Sequence, residues 1–304
     1  MNLFRMPDFD PDFALEHVCP YLDRLDEIFS AIRQFAWPIH VPFMTEQRIE
    51  QASPQHGVPE SHALLLIANN FARIQFLLFS NSAKCVALAR GLVASFNAPN
   101  YLVWTLLGRA AIEHCAVLYF FRSKLDALNP CRTEFALAEL IAMEDLLMQY
   151  SHGTRFNWAA AFSARPPPTA RPFADIQRAV NVLTALDRLS KTGGAFSDIK
   201  AAYDKFSDFC HPTMGSHLLI TDVPTQSDCR DRICIAPSPA PVRGEFVMSV
   251  SLRPVVCCFE RLMLDLSALG KIRQYWTDTV LSGNVTIRGT SPQADLPDMG
   301  PDVE

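Results

Sequence analysis

Between Tyr21 and Phe35 the apolar residues Leu22, Leu25, Ile28, Phe29, Ile32 and Phe35 return at steps of three and four, the period that gives a helix one buried face. A stretch with prolines and histidines, from about Trp37 to Pro59, interrupts the pattern. It resumes from Glu60 to Phe96, with a break or bend expected near Ser80–Ser82 or Gly91. Pro99 and Asn100 form a start signal for a helix to about Lys124. Another helix is expected from Thr133 to Tyr150, ended by His152, Gly153 and Thr154. Four prolines between Ala164 and Pro172 exclude helix and sheet interior there.

Further along, Ile176, Val180, Leu183 and Leu186 make a helical stripe within Phe173 to Lys191, stopped by Thr192-Gly193-Gly194. A helix from Phe196 to Cys210 follows and ends at His211-Pro212, because the residue before proline avoids the α region. Arg232 to Ile235 and Glu245 to Val250 are short β-prone runs, expected to form a small hairpin. Pro254 to Trp276 is the last predicted helix, with Phe259, Leu262, Met263, Leu266 and Leu269 on one side. The fold class is therefore mainly α: a multi-helix bundle with a small β-hairpin near the C-terminal third. Residues 1–59 form an N-terminal helix and loop, 60–289 a helical core domain with a Pro-rich loop at 164–172, and 290–304 a disordered tail.

Composition narrows the classes of function. A hydrophobic share of 49% over 304 residues supports an ordinary globular core. The net charge of −5 gives no global attraction to nucleic acid or to an anionic membrane, so any RNA contact rests on a local patch. Nine cysteines lack the paired spacing of a disulfide scaffold or a zinc site and read as reduced thiols of a cytoplasmic protein. MNLFRMPDFD has no basic stretch followed by an apolar one, so no secretory signal is expected. Tyr101 to Phe121 is apolar and long enough to span a bilayer, but Arg109, Glu113 and His114 in its middle favour a buried core helix, and no membrane association is expected.

The candidate chemistry lies in those same ionisable groups. Arg109 and Glu113, four residues apart, differ by about 40° around a helix and share a face. Tyr203, Ser207 and His211 step by four along the helix that ends at His211-Pro212 and form a second polar stripe. If the two helices pack together, Arg109, Glu113, Tyr203 and His211 converge. The bland alternative is an intrahelical ion pair that braces the bundle, a core-satisfied tyrosine and a capping histidine. Cys210 precedes His211, but adjacent helical residues point about 100° apart, which disfavours a Cys-His pair. His17, His40, His56, His62, His152 and His217 show no metal-ligand spacing, and no cofactor is expected.

Arg109-Ala-Ala-Ile-Glu113 with Tyr119-Phe120-Phe121, Gly153-Thr154-Arg155 with Trp158, and Tyr203-x3-Ser207-x3-His211-Pro212 together resemble uncharacterised bacterial all-helical proteins. These carry R-x3-E, G-[ST]-R and Y-x3-S-x3-H-P segments in that order, and the similarity spans about Glu60 to Ile220. Arg109-x4-His114 more loosely resembles HEPN domains, helical bundles of bacterial toxin–antitoxin and antiviral systems in which an R-x4–6-H motif cuts RNA at a dimer interface. Here Ala110 stands where that family usually has a polar residue, and five residues put Arg109 and His114 about 140° apart. Spacing makes His211 the better partner for Arg109. Two functions stay open: a helical protein acting through a protein partner or a homodimer, and a metal-independent ribonuclease or toxin of bacterial defence using Arg109 with His114 or His211.

Overall fold

The computed structural model describes residues 3–32, 39, 58–152, 179–212, 214–222, 234–235, 241–280 and 286–288. The expected Pro-rich loop at 164–172, the segment Gly153-Thr154-Arg155 with Trp158, and the tail from Thr290 lie outside the described residues. Asp10 starts the chain's first helical path: its Oδ1 accepts from the amides of Asp12 and Phe13, and Pro11 follows at the position that needs no amide donor. After a π-helical turn at Ala14–Val18 comes α1, Cys19–Ile32, which buries Leu22, Leu25, Ile28, Phe29 and Ile32 as its periodicity requires. It packs on the long C-terminal helix and shares one core with the rest of the bundle.

Helix α2, Val58–Asn97, runs unbroken through the predicted bend points. Ser80, Asn81 and Ser82 turn their side chains back onto the carbonyls of Leu77 and Leu78, so these residues satisfy themselves inside the helix instead of ending it. At Gly91 a β-carbon would sit 2.7 Å from Leu107 Cδ1, so this glycine serves close helix packing. Among the described residues, Leu65–Asn97 is the one stretch long and apolar enough to cross a membrane by length and composition. It packs against four other helices of the bundle, and its Arg73 pairs with Glu144 at 2.6 Å across the bundle.

Asn100 caps α3, Tyr101–Ala127, by accepting from the amide of Val103. The predicted start of the next helix at Thr133 is corrected. Glu134–Ala136 is strand β1, and only Leu137–His152 is helical, as α4. Strand β1 pairs in parallel with β4, Thr286–Arg288, and Arg288 grips Glu134 through two hydrogen bonds of 2.6 and 2.8 Å. Of the expected Phe173 to Lys191 helix, Phe173 to Arg178 lie outside the described residues, and Ala179 to Asn181 precede helix α5, Val182–Ser190, instead of belonging to it. This helix starts behind an Asn181 cap and buries Ala185, Leu186 and Leu189, leaving Leu183 exposed. Gly193 and Gly194 then take φ of +72° and +57°, a left-handed turn that glycine adopts without strain.

After a short 3₁₀ turn at Gly194–Phe196, α6 covers Ile199–Cys210 and stops where the sequence predicts, with His211 extended at ψ 158° before Pro212. Helix α7, Met214–Ile220, leads into an antiparallel pair of β2, Thr221–Asp222, and β3, Cys234–Ile235. The predicted hairpin is therefore half corrected. Cys234 and Ile235 are in a strand, but Glu245 to Val250 lies inside α8, Pro241–Tyr275. Val247, Met248, Ser251, Leu252, Val255, Val256, Cys258 and Phe259 are all buried, which is helical periodicity and not alternation. Pro254, expected to open the last helix, sits within it.

Helices α3 and α8 form the centre of the bundle, joined by the bond from Trp104 Nε1 to Ser251 Oγ at 2.8 Å. Helix α6 packs across α3 because Gly108 lets it come close. The Phe206 ring is 2% exposed, and its Cε1 would lie 2.3 Å from a β-carbon at position 108. This contact fixes the height at which the polar residues of α3 and α6 meet.

Candidate functional site

Arg109 follows Gly108, so the residue that admits Phe206 also brings the guanidinium against α6. Arg109 Nε donates to Glu113 Oε1 at 3.0 Å, Nη2 to the Tyr203 hydroxyl at 3.1 Å, and Nη1 to His211 Nε2 at 3.2 Å. The Tyr203 hydroxyl in turn donates to Glu113 Oε1 at 3.0 Å, closing a ring of three side chains. Tyr203 also lies under the guanidinium, 5.2 Å from carbon Cζ to ring centroid. The four residues that the helix spacing predicted to converge do so.

The cluster is reached from solvent. Side-chain exposure is 25% for Arg109 and 34% for Glu113, and His211 at the rim is exposed. Burial opposes the Arg109 charge, but hydrogen bonds to Tyr203 and Glu113 outweigh it and hold the guanidinium above its ordinary pKa. A guanidinium only donates, so its contact with Nε2 requires that nitrogen to carry a lone pair, which leaves any proton of a neutral His211 on Nδ1.

The remaining candidates separate. His114 is not part of this cluster: it points toward Asn81 and Lys84 of α2, and burial lowers its pKa to about 4. Its Nε2 is buried without a hydrogen-bond partner among the described residues. The Arg109-x4-His114 spacing therefore does not create a pair within this chain. Ser207 shares the Tyr203 stripe, yet its buried Oγ makes no hydrogen bond among the described residues. Sequence reasoning passed over Thr105 and set Cys210 aside as a partner for His211. Both belong here, Thr105 one turn before Arg109 and Cys210 seven residues after Tyr203. Burial pushes the Cys210 thiol up, although Arg109 and Thr105 reach its sulfur and pull the other way. Its raised pKa disfavours the thiolate that a Cys210–His211 pair would need.

A separate charged group lies between α3 and α8, away from this site. Asp265, 2% exposed, is held by Arg261 through two bonds of 2.9 Å. Arg261 stacks over Tyr119, while burial raises the Asp265 pKa. With its arginine on one helical turn and its carboxylate sealed from water, this pair has the geometry of a brace.

No protein-family profile matches this chain, and no curated protein or solved structure matches it.

Proposed function

We propose that the Arg109–Glu113–Tyr203–His211 cluster is a metal-independent phosphodiester site, with single-stranded RNA as its substrate class. The observation that carries this reading is the 3.2 Å contact between Arg109 Nη1 and His211 Nε2 at the solvent-reached edge of the cluster. It joins a fixed cation to an imidazole lone pair. A phosphate oxygen that accepts the Arg109 hydrogen frees Nε2 to take the proton of a ribose 2′-hydroxyl. The 2′-oxygen then forms a bond to phosphorus and the bond to the 5′-oxygen breaks. Water protonates the leaving oxygen, leaving a 2′,3′-cyclic phosphate and a 5′-hydroxyl. Glu113 and Tyr203 hold the guanidinium in place while it stabilises the charge growing on the phosphoryl oxygens. In the setting implied by the HEPN resemblance, such an activity belongs to a cytoplasmic toxin of bacterial defence.

A second reading rests on a different observation. Leu102, Val103 and Leu106 on α3 are 36%, 38% and 45% exposed, one to two turns before Arg109. This apolar surface favours a helical protein that works through a protein partner or a second copy, with the polar ring bracing α3 to α6.

The test is cleavage of a single-stranded RNA in chelator by the purified protein and its Arg109→Ala and His211→Ala variants, with unfolding curves recorded for each. The phosphodiester reading expects a cyclic-phosphate product and a loss of about 100-fold or more in His211→Ala, the usual contribution of a general base. No cleavage by the natural sequence, or equal cleavage by folded Arg109→Ala and His211→Ala, overturns it. A concentration-dependent sedimentation profile abolished by Leu106→Glu would then support the brace and its partner surface.

A further inference from the structure

On the flank of α6 away from Tyr203 lies an open cleft of about 250 Å3 between the start of α6 and the middle of α8. Its charged wall is Asp198, Lys205 and Arg253, and its apolar wall includes Ala202 and Val250. Among the described residues, none of the three charged side chains has a hydrogen bond or ion pair. Asp198 occupies the N-cap position of α6, where an aspartate normally accepts from the helix's first amides, yet its side chain makes no such bond. Two cations and one carboxylate, all three solvent-exposed, thus line the same open cleft.

We propose that this cleft binds a small amino dicarboxylate of glutamate's dimensions. Two anionic groups on the ligand match Lys205 and Arg253. A single ammonium matches Asp198, and a short aliphatic stem covers Ala202. Arg253 suits a carboxylate in particular, because its planar fork donates two parallel hydrogen bonds. Size agrees: a cavity of about 150 Å3 holds benzene, which scales to about ten non-hydrogen atoms here, the number in glutamate. The site is independent of the Arg109 cluster and of any RNA chemistry.

Calorimetric titration of the full chain with L-glutamate, and with glutarate, which keeps both carboxylates but lacks the ammonium, tests it. L-glutamate is expected to bind in the millimolar range or tighter, with glutarate about tenfold weaker or more, about 1.4 kcal/mol. Arg253→Gln should weaken L-glutamate about tenfold or more. Asp198→Asn should remove the preference for glutamate and leave glutarate bound at least as well as in the natural sequence, an outcome that misfolding cannot imitate. Absence of binding by both molecules, glutarate binding as well as glutamate, or an Arg253→Gln variant with unchanged affinity overturns the proposal.

Discussion

Gly108→Ala and Gly270→Ala are the same substitution in two helix interiors, and the structure gives them opposite signs. A β-carbon at 270 has nothing within 4 Å, whereas one at 108 lies 2.3 Å from Phe206 Cε1 and 2.9 Å from Cζ. Ordinary carbon contacts fall at about 3.5–4.0 Å, so the 108 variant must push the ring or the helix back by more than an ångström. The ring tip is no escape route, because Phe206 is buried in the core. Overpacking of this kind costs about 1–3 kcal/mol, partly offset by the roughly 1 kcal/mol that alanine gains over glycine in a helix. Gly108→Ala should therefore lose up to about 2 kcal/mol, while Gly270→Ala gains about 1 kcal/mol. Urea unfolding at constant m measures both, and Phe206→Leu should recover part of the loss in Gly108→Ala. If Gly108→Ala proved as stabilising as Gly270→Ala, the seating of Phe206 on Gly108 would not be what sets the spacing of α3 and α6. The argument for how Arg109 meets Tyr203 would fail with it.

Two further predictions concern the ionisable groups. Tyr203→Phe removes the hydroxyl that links Arg109 Nη2 to Glu113 Oε1; a stability loss of about 1–2 kcal/mol is expected in urea unfolding. RNA affinity, if the phosphodiester reading holds, should be unchanged or higher, because a guanidinium N–H is released, and a fall in affinity would count against that role for Arg109. His114, held to about 4 by burial and by Lys84, is neutral in the fold but titrates at its ordinary 6.5 when unfolded. Its stabilising contribution is complete above about pH 6.5 and is lost as pH falls toward 4, about 2 kcal/mol of it by about pH 5. A His114→Gln variant should flatten that part of the stability–pH curve, and an unchanged curve would show that another group carries it.

What the sequence made legible, and what it hid, follows from the range of the interactions involved. The stripe of α1, the Asn100 cap and the stop at His211-Pro212 depend on residues a few positions apart, so periodicity and proline chemistry locate them directly. The pairing of Arg109 with Tyr203 and His211 was legible only conditionally. Each helix showed its own polar face, but the crossing that joins them depends on Gly108 accepting Phe206, 98 positions away. The misread elements are those where distant burial outweighs a local signal. Glu245 to Val250 reads as β-prone in isolation, yet Tyr101 stands over Gly244, with its hydroxyl 2.0 Å from where a β-carbon would be. Trp104 reaches Ser251 one turn beyond Val247. Contacts at both ends of that run give it a reason to follow α3 as a helix, and the propensity of six residues is too weak to oppose them. The same logic explains why His114 looked like a partner for Arg109 and is not. Five residues turn it onto the α2 face, where burial, not a substrate, sets its protonation.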